Sequence, residues 1–239
     1  MKLVSYLKKK FWNWPNSFVW KITEKATVKS RRRKYTLFIS HMKPKLEETI
    51  LDVGVSPHFG RVTNYLELWY PHPEQITALT KDEEGKFKNF RERFPKVRLV
   101  FGDGRDLDFP DNNFDIVFCN AVVEHVGNER EQRRFIHELV RVSKRAFITT
   151  PNYYFPMEVH TLIPFVHYLP RKMSFWIYRK LGRNFWADLN YLNPLTPKKF
   201  VSLFPSGKQV RIFKQRILGI PHSLIAVVEK KTSFEEGLG

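Results

Sequence analysis

The amino-acid sequence predicts an α/β domain with a parallel sheet. Short apolar runs alternate along the chain with amphipathic stretches of helical period, the order found in sheets whose strands are joined through helices. Two of these runs, residues 97–101 and 116–119, are too short for helices and are bounded by turn-forming residues. Acidic and polar residues follow them. Because open α/β sheets bind ligands at the carboxyl ends of their strands, we expect a ligand site there.

Length and composition indicate one globular domain in a reducing compartment. The 239 residues suffice for one α/β domain with an added segment. The single cysteine, Cys119, cannot form an internal disulfide, which favours a reducing environment. The sequence holds no apolar run of the roughly 18 residues that suggest a membrane-spanning helix, and the apolar stretch in residues 1–10 is too short for a secretory signal. We therefore expect a cytoplasmic protein.

Residues 1–44 form a predicted basic, aromatic helical extension. The net charge of the chain is +17, and residues 1–35 carry eleven Lys and Arg against one Glu. Residues 2–14 and 35–42 are predicted helices. Three interpretations are open: helices that cover the edge of the domain, contact of residues 1–34 with an anionic membrane, and binding of nucleic acid, which is the less favoured partner. Membrane contact would place the protein peripherally at the inner membrane surface.

A long, ordered motif begins where the run at residues 97–101 ends. Its members, in chain order, are Gly102, Asp103, Leu107, Phe109, Asp111, Phe114, Asp115, Val117, Asn120, Glu124 and His125. The series resembles the class I S-adenosylmethionine-dependent methyltransferases, most closely the methyltransferase type 11 group, in which G-D-x-x-x-L-x-F-x-D-x-x-F-D-x-V precedes N-x-x-x-E-H. The resemblance covers about residues 45–230. It implies a doubly wound, mostly parallel seven-stranded sheet of Rossmann-like type, with S-adenosyl-L-methionine as cofactor and methylation as the reaction.

The other elements follow the order that this resemblance implies, and they place the methyltransferase domain at residues 45–239. Strands are predicted at residues 50–54, 75–80, 97–101, 116–119 and 146–150, with a closing pair at 209–214 and 223–229. Helices are predicted at residues 62–69, 87–94, 129–142 and 196–204. The last of these starts with Thr196 before Pro197, a favourable cap followed by proline at the first helical position.

The resemblance places the methionine part of the cofactor at the end of the first strand. Asp52 and Gly54 close that strand, before the loop that is glycine-rich in the family. The usual G-x-G-x-G becomes Gly54, Ser56 and His58 here. Glycine allows positive φ and close approach of the backbone, so the bulkier side chains are expected to narrow the space over the cofactor.

The ribose and adenine are expected at the second and third strands. Thr80 stands where the family usually has an acid for the ribose hydroxyls, and Asp82 or Glu83 can reach around from the next turn. By resemblance, the carboxylate of Asp103 accepts a hydrogen bond from the adenine amino group. The N–H of Gly104 donates to a ring nitrogen.

The fourth strand is expected to end beneath the sulfonium. Arg105 completes the adenine side of the predicted site, while Asn120 and Ala121 are placed near the amino group of the methionine part. His125 is the candidate general base, because imidazole has a suitable pKa. In-line methyl transfer depends mainly on proximity and alignment, so the alternative is a histidine that organises the turn.

Residues 153–193 form a predicted aromatic insert after the fifth strand. In the family this segment commonly covers the acceptor, and an aromatic lid favours a lipophilic or ring-bearing acceptor. Aromatic packing of an ordinary subdomain is the alternative. His160 and His167 would share a helix face only if the helix continued through Pro164, so no metal site is predicted.

The expected function is methyl transfer from S-adenosyl-L-methionine to a small-molecule or lipid-like acceptor. An RNA acceptor is one alternative, but exocyclic-amine methyltransferases usually show N/D-P-P-Y/F after the fourth strand, and residues 120–123 are Asn-Ala-Val-Val. The other alternative is a binding or scaffold protein that has lost the cofactor, which the altered loop and Thr80 would favour. The sequence predicts no oligomeric state.

Overall fold

A computed structural model describes residues 18–58, 62–188 and 191–230. Its strands form one seven-stranded sheet in the order β3-β2-β1-β4-β5-β7-β6. The strands are β1 (Ile50–Val53), β2 (Ile76–Thr80), β3 (Arg98–Phe101), β4 (Phe114–Asn120), β5 (Ser143–Pro151), β6 (Lys208–Ile217) and β7 (Ile220–Lys230). The first five are parallel, and β7 runs antiparallel to both β5 and β6. The doubly wound, mostly parallel sheet predicted from the sequence is confirmed.

The strand order creates a switch point between β1 and β4. The chain adds β2 and β3 on one side of β1 and then crosses over to place β4 on the other side. Ile50 pairs in parallel register with Ile76 of β2 and with Ile116 of β4. Ligands of open α/β sheets bind outside the carboxyl ends of the strands at such a point.

Helices cover both faces of the sheet. They are α1 (Phe18–Met42), α2 (Tyr65–Trp69), α3 (Lys88–Arg93), α4 (Glu129–Arg141), α5 (Arg171–Lys180) and α6 (Pro197–Ser202). Alternate residues of a strand point to opposite faces. Accordingly, Ile116 belongs to a core with side chains of α1, α2 and α3, whereas Val117 belongs to a second core with side chains of α4 and α6.

Two helix starts show the local signals that position them. The side chain of Asn128 accepts a hydrogen bond from the backbone N–H of Glu131 and caps α4. The side chain of Thr196 caps α6 in the same way, with Pro197 in the first turn, as the sequence predicts. Elsewhere the bounds shift: β5 is longer than residues 146–150, and α2 begins at Tyr65 rather than at residue 62.

Helix α1 corrects the prediction of a helix that begins at residue 35. One continuous helix runs from Phe18 to Met42 and includes the basic run at residues 31–34, since Arg and Lys are good helix formers. Phe38 and Met42 are fully buried, and the Phe38 ring meets the Phe118 ring edge-to-face with centroids 5.0 Å apart. The helix predicted at residues 2–14 lies outside the described residues. The described part of the extension thus shares a core with the domain that it precedes.

The insert at residues 153–193 consists of short pieces around α5. It has a small core of its own, formed by Ile163, Tyr178, Ala187 and Leu192. Of the fourteen large apolar side chains that are exposed among the described residues, nine lie in the insert. The insert is therefore the most apolar part of the described surface. No helix within the described ranges combines the length and apolar character needed to cross a membrane.

Candidate active site

A cavity of about 600 Å³ opens at the carboxyl edge of the sheet, at the switch point. This is within the range of about 300 to 1,000 Å³ typical of small-molecule sites. Nine of the predicted site residues line it: Gly54, Ser56, Thr80, Asp82, Asp103, Gly104, Arg105, Ala121 and His125. Most of the residues selected from the sequence are thus brought together. Asp52 and Asn120 do not line this cavity.

Two glycines of the cavity lining allow neighbouring side chains to pack closely on the backbone. Gly54 has a φ of +97°, and a Cβ atom there would lie 2.3 Å from Cγ2 of Val122. A Cβ atom on Gly104 would lie 2.4 Å from Cε2 of Phe135. Both distances are shorter than any van der Waals contact, so only glycine fits at either position without a shift of its neighbour. Val122 and Phe135 thus occupy the space that a side chain would need, and both glycines line the cavity with backbone alone.

The loop after β1 is held by a side chain rather than by further glycines. Asn64 Oδ1 accepts from the N–H of Ser56 at 3.0 Å, and Asn64 Nδ2 donates to the Ser56 carbonyl at 2.9 Å. The Ser56 hydroxyl in turn accepts from the N–H of His58. His58 itself is exposed and does not line the cavity. The loop substitutions expected to narrow the site therefore leave the cavity open.

The adenine side of the cavity carries an ion-pair chain. Arg105 Nε lies 3.0 Å from Asp103 Oδ1, and Arg105 Nη1 lies 2.9 Å from Glu131 Oε2. The hydrogen bonds from Arg105 outweigh burial and hold the pKa of Asp103 below its usual range. Asp103 is therefore an anionic acceptor, and its side chain is still 39% exposed. Each carboxylate oxygen can accept more than one hydrogen bond, so the predicted adenine contact stays a prediction alongside the Arg105 contact.

At the end of β2, Thr80 stands at the position where the family usually has an Asp or Glu that binds the ribose hydroxyls. Thr80 is buried, and its hydroxyl accepts from the N–H of Asp82 at 3.2 Å. Asp82 is exposed at the cavity wall. Of the two carboxylates predicted to reach around, Asp82 lines the cavity and Glu83 does not. The ribose contact itself stays a prediction.

Asp52 and Asn120 do not line the main cavity, and their contacts with the cofactor stay predictions. Both border a separate small void beneath Gly54. Burial and the neighbouring Glu67 carboxylate raise the pKa of Asp52 well above its usual range. Asn120 Oδ1 accepts from Thr149 Oγ1 at 2.9 Å and from Lys34 Nζ at 3.0 Å. Internal partners therefore occupy the groups that were expected to face the cofactor.

Helix α1 supplies two cations to this region. Lys34 is buried and donates to Asn120, while Arg31 donates to the carbonyl of Val62. Burial and the nearby Arg31 together lower the pKa of Lys34 to about 8, against the opposing effect of the Glu124 carboxylate. Lys34 and Phe38 are four residues apart and so share a helix face. These two cations of the basic run serve the interior rather than an outer surface.

Ala121 turns the chain as it leaves β4. Its φ of 57° is left-handed, which costs a non-glycine residue roughly 1 to 2 kcal/mol. Its N–H donates to the Thr149 carbonyl, which continues the pairing of β4 with β5. The strained turn directs the short 3-10 turn Val123–His125 to the cavity wall.

His125 is held at both ring nitrogens. Its Nδ1 lies 2.6 Å from the carbonyl oxygen of Tyr191, and because a carbonyl only accepts, Nδ1 carries the proton. Its Nε2 lies 3.0 Å from Nε2 of His160 in the insert. Burial lowers the pKa of His125. To act as a general base, His125 would have to break the contact between its Nε2 and His160, so that role stays a prediction. The alternative, a histidine that organises the turn, is supported by the contacts of both ring nitrogens.

His160 is positioned by Glu158. Its Nδ1 lies 2.8 Å from Glu158 Oε1. Burial lowers the pKa of His160, but the hydrogen bond and charge of Glu158 outweigh this and raise it above the usual range. Burial would raise the pKa of Glu158, yet its bonds to His160 lower it to about 2.

Several of these residues could not be selected from the sequence. Lys34 looked like part of a surface charge run, although its spacing from Phe38 on a continuous helix is a signal for burial. Asn64, Glu67, Glu131 and Tyr191 carry no local motif. His160 was considered only with His167, whereas its partner in the structure is His125.

Comparison with known proteins supports the resemblance to S-adenosylmethionine-dependent methyltransferases. Residues 51–146 match the family model of the type 11 methyltransferases, described as a methyltransferase domain. Two probable S-adenosylmethionine-dependent methyltransferases of Mycobacterium tuberculosis are each 25% identical over 124 residues. The aligned part is 50% of this chain and 42% of theirs, so this chain spans less than half the length of the curated relatives it matches.

Solved structures share the fold at low sequence identity. A SAM-dependent methyltransferase from Methanosarcina mazei superimposes with a TM-score of 0.53 at 16% identity, over 80% of this chain and 97% of that one. A [4+2]-cyclase superimposes with a TM-score of 0.56 at 13% identity, over 84% and 81%. The likeness therefore establishes the fold, and the second protein shows by its name that the fold is not confined to one chemistry.

The sheet, the switch-point cavity and its two glycines define the fold of the class I S-adenosylmethionine-dependent methyltransferases. Within that class, residues 51–146 are similar to the type 11 methyltransferase domain. The cofactor of this family is S-adenosyl-L-methionine, and the residues of the cavity fit it.

The buried Lys34 gives the protein a testable pH dependence. The folded lysine loses its proton near pH 8, whereas an unfolded lysine does so near pH 10.4. Between these values the unfolded chain binds more protons, so stability rises with pH. From pH 8 to 9.5, we expect the free energy of unfolding of the wild type to rise relative to that of Lys34→Met, by up to about 1.4 kcal/mol per pH unit.

Urea unfolding at several pH values measures this difference. Lys29→Met, at an exposed position on the same helix, is the matched control and should keep the pH dependence of the wild type. Parallel curves for the wild type and Lys34→Met would contradict the burial of a titrating lysine at this site.

Proposed function

We propose that this protein transfers a methyl group from S-adenosyl-L-methionine to a small or lipophilic acceptor. The observation that carries the proposal is the cavity at the switch point, because residues of the family motif line it together with Gly54 and Gly104. When bound there, the cofactor supplies a methyl group that an acceptor lone pair attacks as the carbon–sulfur bond breaks, leaving S-adenosylhomocysteine.

The chain's own residues provide binding and alignment. Asp103 offers an anionic acceptor at one end of the cavity, and the backbone of Gly54 lines the cavity at the switch point. Proximity and alignment can supply roughly 7 to 11 kcal/mol of a transfer barrier, so this arrangement does not depend on a general base. The polar groups of the wall would fix the orientation of the cofactor.

The apolar insert supports a lipophilic acceptor. Its exposed aromatic side chains include Phe165, Trp176 and Phe185, each more than half exposed, and its Tyr191 lines the cavity. Contiguous exposed apolar groups mark sites for ligands, proteins or membranes. An acceptor with an apolar body would contact such a wall while its reacting atom enters the cavity.

Cofactor binding is tested by calorimetric titration with S-adenosylmethionine and S-adenosylhomocysteine. We expect micromolar binding of both to the wild type. Asp103→Asn should weaken binding about tenfold, because a neutral amide oxygen replaces the carboxylate as the acceptor and hydrogen bonds to charged groups are roughly twice as strong as neutral ones. Asp106→Asn, which removes an exposed carboxylate in the same turn, is the matched control and should bind like the wild type.

Two outcomes would contradict this account in different ways. Equal affinities of Asp103→Asn and the wild type would remove Asp103 from the site. No binding of either ligand to the wild type would favour the scaffold alternative, in which the fold is kept without the cofactor.

We also propose that the basic face of α1 contacts an anionic membrane surface. A groove of about 780 Å³ runs between α1 and β6. Six exposed cations line it: Lys25, Lys29, Arg32, Arg33, Lys214 and Arg216. Lys and Arg near an anionic bilayer each contribute about 1 kcal/mol of attraction. The groove and the apolar insert together suit a protein that meets a lipid-like acceptor at a membrane.

Vesicle sedimentation tests this contact. The triple variant Lys25→Glu, Lys29→Glu, Arg33→Glu should bind phosphatidylserine-containing vesicles roughly 100-fold more weakly than the wild type, since at least about 3 kcal/mol of attraction is lost. The control Lys88→Glu, Lys96→Glu, Lys198→Glu changes the net charge equally at exposed positions outside the groove. Equal loss in both variants, or a selective loss of RNA binding in the first, would overturn the membrane proposal.

A further inference from the structure

Three ligand-type side chains converge beside the cofactor cavity. Glu124 and His125 lie in the 3-10 turn after β4, and His160 lies in the insert. His125 Nε2 and His160 Nε2 are 3.0 Å apart, and Glu124 Oε1 lies 3.8 Å and 3.9 Å from them. These three residues are called the Glu-His-His cluster below. The cluster joins the sheet to the insert, although its members are up to 36 residues apart in sequence.

The hydrogen-bond pattern leaves two lone pairs facing each other. The Tyr191 carbonyl accepts from Nδ1 of His125, and the Glu158 carboxylate accepts from Nδ1 of His160. A neutral imidazole with its proton on Nδ1 has a bare Nε2. The two Nε2 atoms at 3.0 Å therefore need a cation between them, either a proton or a metal ion.

Glu124 distinguishes between these two cations. Its side chain is fully buried, and Oε2 is held by the hydroxyl of Thr150 at 3.0 Å. Oε1 points at the two histidines and has no hydrogen-bond partner among the described residues. A proton on the line between the nitrogens would leave this oxygen unpaired. A metal ion would bind all three atoms at once.

The size of the cluster matches a metal ion. In a triangle with the three measured sides, the point equidistant from the corners lies about 2.1 Å from each ligand atom. Zinc binds histidine nitrogen at about 2.0 to 2.1 Å and carboxylate oxygen at about 2.0 to 2.2 Å. The side chains therefore need little movement to bind an ion.

The surroundings also resemble those of a metal centre. Metal-binding histidines usually donate their second ring N–H to a carboxylate or a carbonyl, which fixes the ring. Glu158 does this for His160, and the Tyr191 carbonyl does it for His125. The Trp186 ring packs against both imidazoles, with centroids 4.9 Å from His160 and 5.7 Å from His125, and shields that side from water.

We propose that the Glu-His-His cluster binds a divalent transition-metal ion of the zinc type. Three protein ligands leave a coordination position open, as in catalytic rather than structural zinc sites. His125 lines the cofactor cavity, so the open position is available to an oxygen atom of the acceptor. This last role rests on the proposed methyl transfer, whereas metal binding does not.

Zinc titration of chelator-treated, untagged protein tests the site without cofactor or acceptor. We expect one Zn²⁺ per chain, with at least 100-fold weaker binding in His160→Asn. Glu158→Gln keeps all three ligands and should lose 10- to 100-fold, as expected when the partner of a ligating histidine is changed. His167→Asn, in the same insert but outside the cluster, should bind like the wild type. Co²⁺ absorption in the same proteins reports the ligand set directly.

Thermal unfolding of each variant verifies that it is folded. Equal zinc affinity in the wild type and in both His160→Asn and Glu158→Gln would overturn the proposal, as would loss of the bound ion in His167→Asn alone. A separate titration with S-adenosylhomocysteine keeps the two proposals apart. Zinc binding without binding of S-adenosylhomocysteine would contradict only the methyltransferase proposal. Binding of S-adenosylhomocysteine without zinc binding would contradict only the metal site.

Discussion

The site depends on the close approach of two chain segments at the switch point between β1 and β4. Gly54 leaves β1 with positive φ, and any side chain there would collide with Val122. Only glycine combines this backbone conformation with such proximity. The residues that follow both strands then line the cavity on either side of the contact. The contact thereby fixes the floor of the site and the backbone groups that a ligand meets.

Local patterns predicted the strands and the motif around Asp103, because apolar periodicity and turn residues act over short distances in sequence. Contacts between distant residues were not predictable in this way. Lys34 is buried only because α1 is continuous and aligns it with Phe38. His160 meets His125 because the insert folds back over the turn after β4, and no spacing in the sequence indicates that. Asn120 was placed at the cofactor, but Lys34 and Thr149 occupy its side-chain oxygen.

Burying a charged side chain costs free energy unless it is paired or its pKa shifts. The charged groups beneath and beside the cavity show both responses. Burial lowers the pKa of Lys34, and its ammonium group donates a hydrogen bond to Asn120. Burial and the neighbouring Glu67 raise the pKa of the Asp52 carboxyl well above its usual range. Glu124 keeps one oxygen directed at two histidines without a hydrogen-bond partner within the described ranges. The side-chain oxygen of Asn120 is therefore satisfied internally, while the wall near the insert retains capacity for a further ligand.

A crystal structure of the protein with S-adenosylhomocysteine tests the central claim most directly, since it locates the ligand rather than only detecting it. The account predicts the adenine beside Asp103 and Gly104 and the homocysteine part above Gly54, at the carboxyl edge of β1 and β4. Well-ordered ligand at any other place, or an unliganded cavity in crystals soaked to saturation, would contradict it.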